Sequence, residues 1–419
     1  MFKNIFRISY IVISRTRSVS VSEKFILKIK KKEKKREKQG MLTELKSARL
    51  VRRSFAVFRR HLSLSFYLRR EKNAPASDII FSMLQPTGRA HLGNYLGALS
   101  HWKKIQDEKS PSAKLIYGIA DLHSLTIPYN PSELRKNRYE TVATALACGI
   151  DPEKSIIFYQ SDVSQHTDLG WILTCIASIG TLNRMTQWKL KVLQIEATQM
   201  VNESVLGKLK AGLMLYPVLQ AADVLIYKST HVPVGEDQLQ HLELCRNLAS
   251  TFNHTFKSDF FPLPITLSTP SQRILALRNP SKKMSKSDPD QSSSIYVTDE
   301  PEVIARKIRK ATTDSIQGMW SFDPVHRPGI ANLITIVSSL TNSSIDQVLN
   351  DISRFRDHKH LKDYVTDLLI EEFREKRTSF RLLLNDLPYL EKVTTTGAEA
   401  ASEIALRNMA QIKLIIGLK

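Results

Sequence analysis

Three short apolar runs alternate with two stretches of helical period, and this alternation leaves the chain few folds to choose from. IIFSML (Ile79 to Leu84) reads as a buried strand and QPTGRAHLG as a turn. NYLGALSHWKKIQ reads as a helix, with Leu96, Leu99, Trp102 and Ile105 on one period. KLIYGIAD (Lys114 to Asp121) is a second strand. Asn130, Pro131 and Glu133 then supply an N-cap, a first-turn proline and a capping-box acid, and Gly149 supplies the stop for a helix between them. SIIFYQS (Ser155 to Ser161) is a third strand. The series is βαβαβ, the half-unit of a Rossmann-like, doubly wound parallel sheet, whose ligand crevice lies beyond the carboxyl ends of its strands.

Downstream, Thr167 to Ser178 and Gly180 to Lys191 read as helices, and residues 187 to 210 form a polar stretch expected to be a mobile insertion. The segment AGLMLYPVLQAADVLIY is expected to combine a helix with a short strand over Val224 to Tyr227, and Asp237 to Phe252 is a further helix. Past Pro289 helical periods dominate, as in Glu302 to Ala311, Ile330 to Leu340 and Leu361 to Asn385. The expected organisation is therefore a basic segment over 1–75, a Rossmann-type domain over 76–298 and a helical domain over 299–419. With 419 residues, 42% of them hydrophobic, both folded parts have enough core. Cys148, Cys175 and Cys245 lie far apart with no CxxC pair, so they build neither a disulfide framework nor a cysteine zinc site. No apolar run approaches the roughly 18 residues that span a bilayer, so membrane insertion is not expected.

The net charge of +20 is a local feature. Residues 1 to 75 hold 22 Lys and Arg against 5 Asp and Glu, which leaves the remainder at only +3. Any RNA contact on the body must come from a local patch. Residues 1 to 22 carry Lys3, Arg7, Arg15 and Arg17, hydroxyl residues and no acid, and Arg49 to Arg70 repeats that chemistry. This resembles an organelle transit peptide, and the apolar region of a secretory signal is missing. KIKKKEKKREKQG, between the two stretches, reads as a solvated lysine run. Met41 opens a segment that could serve as a targeting sequence by itself.

Two motifs carry chemistry. In QPTGRAHLGN (Gln85 to Asn94) a strand turns through glycines into a helix start, which points N–H groups and the positive end of the helix dipole at one spot suited to a triphosphate. His91 adds a donor, and Gly93 removes a side chain where a nucleotide must approach. The second is KMSKS (Lys283 to Ser287), whose ammonium groups on a short loop can close over a transferring phosphate and stabilise charge on leaving pyrophosphate.

At these residues the chain resembles the class I aminoacyl-tRNA synthetases, with HLGN in place of the HIGH string and KMSKS intact. YPVLQAAD (Tyr216 to Asp223) and GEDQ (Gly235 to Gln238) resemble the tryptophanyl and tyrosyl branch, from about Ile79 to Leu418. Tyrosyl members carry a tyrosine and, four residues on, an aspartate where this chain has Phe81 and Gln85. With the IFSMLQPTG and VPVGEDQ wording, that favours the bacterial-type tryptophanyl members that serve mitochondria.

The resemblance implies ATP as substrate with Mg²⁺ on its phosphates, L-tryptophan and tRNA(Trp) as partners, a homodimer, anticodon binding by the helical domain and the mitochondrial matrix as location. It implies an ATP site of Gln85, Pro86, Thr87, His91, Gly93 and Asn94, with Gly235, Glu236 and Asp237 near the ribose, Ile274 and Leu277 near the adenine, and the loop Lys283, Met284, Ser285, Lys286 and Ser287. His91, Lys283 and Lys286 are the expected catalytic residues. Tryptophan is an apolar plate with one N–H, so its site needs apolar walls and one acceptor. Phe81, Val232 and Val234 are candidate walls and Asp223 the candidate acceptor, while Tyr216 and Gln238, by resemblance, hold the ammonium and carboxylate ends. Gln220 stands where many bacterial members have methionine. The implied reaction is attack of the tryptophan carboxylate on the α-phosphate, then transfer to the terminal ribose of tRNA. Other readings are weaker: a dehydrogenase would need G-x-G-x-x-G at the first turn, which is absent. A non-catalytic RNA-binding protein would have little reason to keep both phosphate motifs, and a tyrosine-specific ligase departs at Phe81 and Gln85.

Overall fold

A computed structural model describes residues 78–110, 112–189, 210–268, 273–286, 288–316 and 320–419. The basic segment over 1–75, the greater part of the 187 to 210 insertion and Ser287 lie outside these residues. Residues from Ser77 onward form one compact unit. Its centre is a five-stranded parallel sheet in the order β3-β2-β1-β4-β5. The strands are β1 (Ile79–Leu84), β2 (Lys114–Ile119), β3 (Ser155–Tyr159), β4 (His231–Val234) and β5 (Ile265–Ser268). Chain order reverses between β1 and β4, the switch point at which open α/β sheets bind ligands.

The helix after β1 starts as Leu92–Asn94, widens to a π turn over Tyr95–Leu99 and continues as Ser100–Glu108 (together α1). Asp121–Ser124 (α2) follows β2, and Pro131–Ala147 (α3) leads to β3. As expected, Asn130 caps α3, accepting from Ser132 N–H at 2.9 Å. Gln165–Ile176 (α4), Ile179–Arg184 (α5) and Ala211–Leu225 (α6) come before β4, and Leu239–Thr255 (α7) before β5. The C-terminal part is helical: Pro301–Arg309 (α8), Pro328–Thr341 (α9), Ile345–Ile352 (α10), His358–Leu384 (α11) and Leu387–Ile415 (α12).

Two local expectations fail. Val224 to Tyr227 is the end of α6 and the turn after it, not a strand, and the strand comes later at His231–Val234. Leu225, Ile226 and Tyr227 are wholly buried there, and a short apolar run looks alike in a core helix and a core strand. The helix expected over Gly180 to Lys191 breaks at Met185, whose backbone is extended.

Because β1 and β2 are buried on both faces, their side chains divide between two cores. Ile80, Leu115, Tyr117 and Ile119 join α1 in one core, where Trp102 stacks on Tyr117 with centroids 4.3 Å apart. Phe81, Ile116 and Phe158 join α4, α6 and α7 in the other. The edge strand β3 is covered by α12, where a Cβ on Gly397 would lie 1.9 Å from the carbonyl oxygen of Ile157. Only a residue without a side chain lets the helix lie that close to strand backbone, and the covered edge cannot pair with another chain.

Candidate active site

The two cores deliver two sets of side chains to the same end of the sheet. Residues expected at the nucleotide belong to the α1 side, where Ile274, Leu277 and Met284 are buried. Residues expected at the amino acid belong to the α6 side, where Phe81, Tyr216 and Val232 are buried and Val234 packs alongside. They meet beyond the carboxyl ends of β1 and β4, since the register Ile80↔His231 sets Gly235 level with Leu84.

On the nucleotide side, β1 is followed by the exposed Gln85, and Thr87 N–H donates to its carbonyl at 2.8 Å. Pro86 is buried and Thr87 exposed. Gly88 has φ +81°, which a side chain would strain, and its space is already filled by Asn137 and Glu140. His91 then caps α1: its Nδ1 accepts from Asn94 N–H and Asn94 Oδ1 accepts from His91 N–H, each at 3.3 Å. Burial, with Lys286 and Lys283 nearby, pushes the His91 pKa down to about 4, so the imidazole is neutral. At Gly93 a Cβ would sit 3.0 Å from His91 Cε1 and 3.9 Å from Ile274 Cβ, so a side chain there would crowd the capping imidazole.

The lysine loop reaches this turn directly. Lys286 Nζ donates to the carbonyl of Thr87. Burial lowers its pKa to about 8, with Glu140 opposing that fall and Arg89 adding to it. Lys283 is exposed and pairs antiparallel with Leu275, Met284 N–H donates to Ile274 O at 3.0 Å, and Ser285 is half-buried. Asp237, exposed after β4, has Oδ1 3.0 Å from where a Gly235 Cβ would be. The side chain of Glu236, like Ser287, lies outside the described residues.

On the amino-acid side, Phe81 stacks on Tyr227 at 5.4 Å. Asp223 on α6 is 1% exposed and holds three donors. His166 Nδ1 at 2.7 Å and Gln160 Nε2 at 2.8 Å donate to Oδ1, and His123 Nε2 at 2.9 Å donates to Oδ2. Burial alone would raise the Asp223 pKa, but the bonds from His123 and His166 hold it at about 2. Oδ1 is saturated and Oδ2 keeps acceptor capacity for one more N–H. Tyr216 and Gln238 are joined by a residue the sequence reading did not single out. His241 Nδ1 donates to Gln238 Oε1 at 2.9 Å, and its Nε2 accepts from the Tyr216 hydroxyl at 3.2 Å. Gln220 also donates to Gln238 Oε1, at 3.2 Å.

His123, Gln160, His166 and His241 were thus all missed. His123 follows β2 and Gln160 follows β3, at strand ends where ligand groups gather, and that placement was the available signal. His166 and His241 are legible only once α4 and α7 are docked.

Comparison with known proteins gives the family. Residues 74–374 match the family model of tRNA synthetases class I (W and Y), and the chain belongs to that family. The mitochondrial tryptophan–tRNA ligase of Saccharomyces cerevisiae is 51% identical over 342 residues, covering 81% of this chain and 90% of that one. The solved tryptophanyl-tRNA synthetase of Mycoplasma pneumoniae superposes with a TM-score of 0.71 at 33% identity, over 82% of this chain and 98% of that one. The Campylobacter jejuni tryptophanyl enzyme, solved with ADP and tryptophan, has a TM-score of 0.65 at 28% identity over 81% of this chain and 99% of that one. Within the class the chain is a tryptophan–tRNA ligase, an enzyme that joins tryptophan to tRNA with ATP through an aminoacyl-adenylate.

Proposed function

We propose that the carboxyl edge between β1 and β4 is where this chain forms tryptophanyl-adenylate, with the residues named above in the following roles. The single observation that carries this is the contact of Lys286 with Thr87, which brings the lysine loop over the helix start capped by His91. Neutral His91, the N–H groups of α1, Lys283 and Lys286 face the phosphates. Ile274 and Leu277 flank the adenine, with Met284 packed beneath them, while Gly235, Glu236 and Asp237 lie toward the ribose. Phe81, Val232 and Val234 wall the indole, Asp223 Oδ2 accepts its N–H, and Tyr216 and Gln238 hold the ammonium and carboxylate. The carboxylate is thereby aimed at the α-phosphate, and no side chain acts as nucleophile. The lysines stabilise charge that appears as pyrophosphate leaves.

The nucleotide side offers ammonium groups and amides. Among the described residues no group of three or more His, Cys, Asp or Glu is placed to hold a metal. Mg²⁺ fits as an ion carried on ATP's phosphates, where it neutralises their charge. Residues 299–419 are read as the part that meets the anticodon of tRNA(Trp). A homodimer is carried over from the family, and Trp171 at 70% and Ile179 at 74% exposure, among the large apolar side chains left outside, are candidates for its seam. The arginine-rich, acid-poor N-terminal segment, together with the mitochondrial relative, supports delivery to the mitochondrial matrix. No helix among the described residues is long and apolar enough to cross a membrane. The direct test is ATP–pyrophosphate exchange with a panel of amino acids. Tryptophan alone should support it, and exchange with tyrosine or none would overturn the reading.

A further inference from the structure

Helix α9 is buried almost all round, and one amide, Asn332 at 3% exposure, interrupts its apolar run. A buried carboxamide needs partners for both its ends. Asn332 Oδ1 accepts from Leu275 N–H at 2.8 Å, and Asn332 Nδ2 donates to Leu275 O at 3.0 Å. One side chain thus takes both main-chain groups of one residue. Leu275 is free to offer them because of how its hairpin is paired. It lies opposite Lys283, and the cross-hairpin bonds are made by its neighbours, Met284 N–H to Ile274 O at 3.0 Å and Ala276 N–H to Lys282 O at 2.9 Å. Its own N–H and C=O therefore point away from Lys283, toward α9.

A second attachment lies alongside. Thr312 N–H donates to Leu277 O at 2.8 Å, and α9 presses on the same segment at Gly329, where a Cβ would lie 2.1 Å from Thr312 O. The hairpin that carries Ile274 and Leu277 on one arm and leads into Lys286 on the other is thus held to a helix of the C-terminal part.

We propose that Asn332 is a positioning residue for adenylate formation, fixing the nucleotide hairpin and its lysine loop to α9 so that a shift of α9 moves the lysines. This rests on the reading that the loop meets ATP. The test measures ATP–pyrophosphate exchange with the full chain carrying Asn332→Leu, which keeps the volume and removes both bonds. Asn332→Asp is the second variant; it keeps the acceptor for Leu275 N–H and removes the donor. The kcat of exchange should fall by about tenfold in the first and less in the second, with a higher KM for ATP and a KM for tryptophan within about twofold of the parent. Unchanged kcat and KM values alongside a lower melting temperature would make Asn332 a packing residue and overturn the proposal. So would equal rises in both KM values. If Asn332→Leu does not fold, Asn332→Asp decides by the same criteria. Lys286→Ala, run in parallel, separates the two ideas. A normal rate there removes the loop reading itself, whereas a slow rate beside normal Asn332 variants removes only the clamp.

Discussion

The ammonium of Lys286 donates to the main-chain carbonyl of Thr87, 199 positions away in the sequence. One bond therefore ties the loop after β5 to the turn after β1, and on the proposed reading ATP phosphates entering that space would replace a carbonyl as the partner of a half-buried cation. If the ammonium meets charge that grows during reaction, as proposed, its effect should fall on the rate.

Lys286→Ala should slow adenylate formation by at least about a hundredfold while tryptophan affinity stays within about twofold. Since the ammonium of the free enzyme titrates near pH 8, kcat/KM for ATP should decline as pH rises past that value. With ATP bound the phosphates favour the charged form, so the decline in kcat should come at higher pH. Stopped-flow adenylate formation and pH profiles check both points. An equal loss of tryptophan binding would show that the loop builds the pocket instead.

His91 should make the fold sensitive to mild acid. Its pKa is about 4 in the folded chain against 6.5 as an ordinary histidine, so between these values the unfolded chain binds more protons. Stability rises with pH across that window and is lost as pH falls from 6.5 toward 4, by at most roughly 3 kcal/mol from this group. His91→Asn keeps a capping side chain without a titrating ring. Urea melts of the two proteins should converge as pH is lowered, and parallel pH dependence would refute the assignment.

Asp223 should be tested with two substitutions. Asp223→Ala strands three buried donors and should cost stability by about 3–5 kcal/mol. Asp223→Asn is gentler, and it should lower the preference for tryptophan over phenylalanine by at least about tenfold, with KM for ATP within about threefold. Equal loss for ATP and tryptophan would mean that the carboxylate only organises His123, Gln160 and His166.

Gly397→Ala should destabilise the protein by about 1–3 kcal/mol, because the added methyl meets strand backbone that cannot swing aside. In an open helix position the same change would stabilise by about 1 kcal/mol. Urea unfolding gives the sign, and a gain in stability would show that α12 does not rest on Ile157.

A protein beginning at about Ala74 should fold and aminoacylate at a normal rate, since the family match starts at residue 74 and every proposed ligand contact lies beyond it. Residues 1 to 75 fused to a reporter should direct it to mitochondria. A cytosolic reporter, or a truncated enzyme that forms adenylate but binds tRNA weakly with reduced salt dependence, would make the basic segment something other than an address.

How far the sequence could be read depends on the range of the interaction involved. The strands Ile79–Leu84, Lys114–Ile119 and Ser155–Tyr159, the Asn130 cap and the HLGN helix start are written in local periods and caps, and all were legible. The HLGN and KMSKS strings stood out because such residue types in that order are rare, and the structure brings them together through Lys286 and Thr87. The run Val224 to Tyr227 was misread because burial on all sides erases periodicity. His241 and Asn332 were missed for a different reason: each acts on a partner brought by another part of the chain. A lone amide in the apolar run GIANLITIV was nonetheless a visible oddity.

The covering of β3 by α12 has a consequence for how the protein is made. The edge strand Ser155–Tyr159 leaves the ribosome well before Leu387–Ile415, the helix that seals it through Gly397. From the completion of β3 at Tyr159 until the helix beginning at Leu387 is made, the half-built sheet displays an unpaired backbone edge, the feature by which growing chains stick to one another. A stop codon just before α12 would leave the HLGN and KMSKS strings in the chain, and it would fix that vulnerable interval as a permanent state.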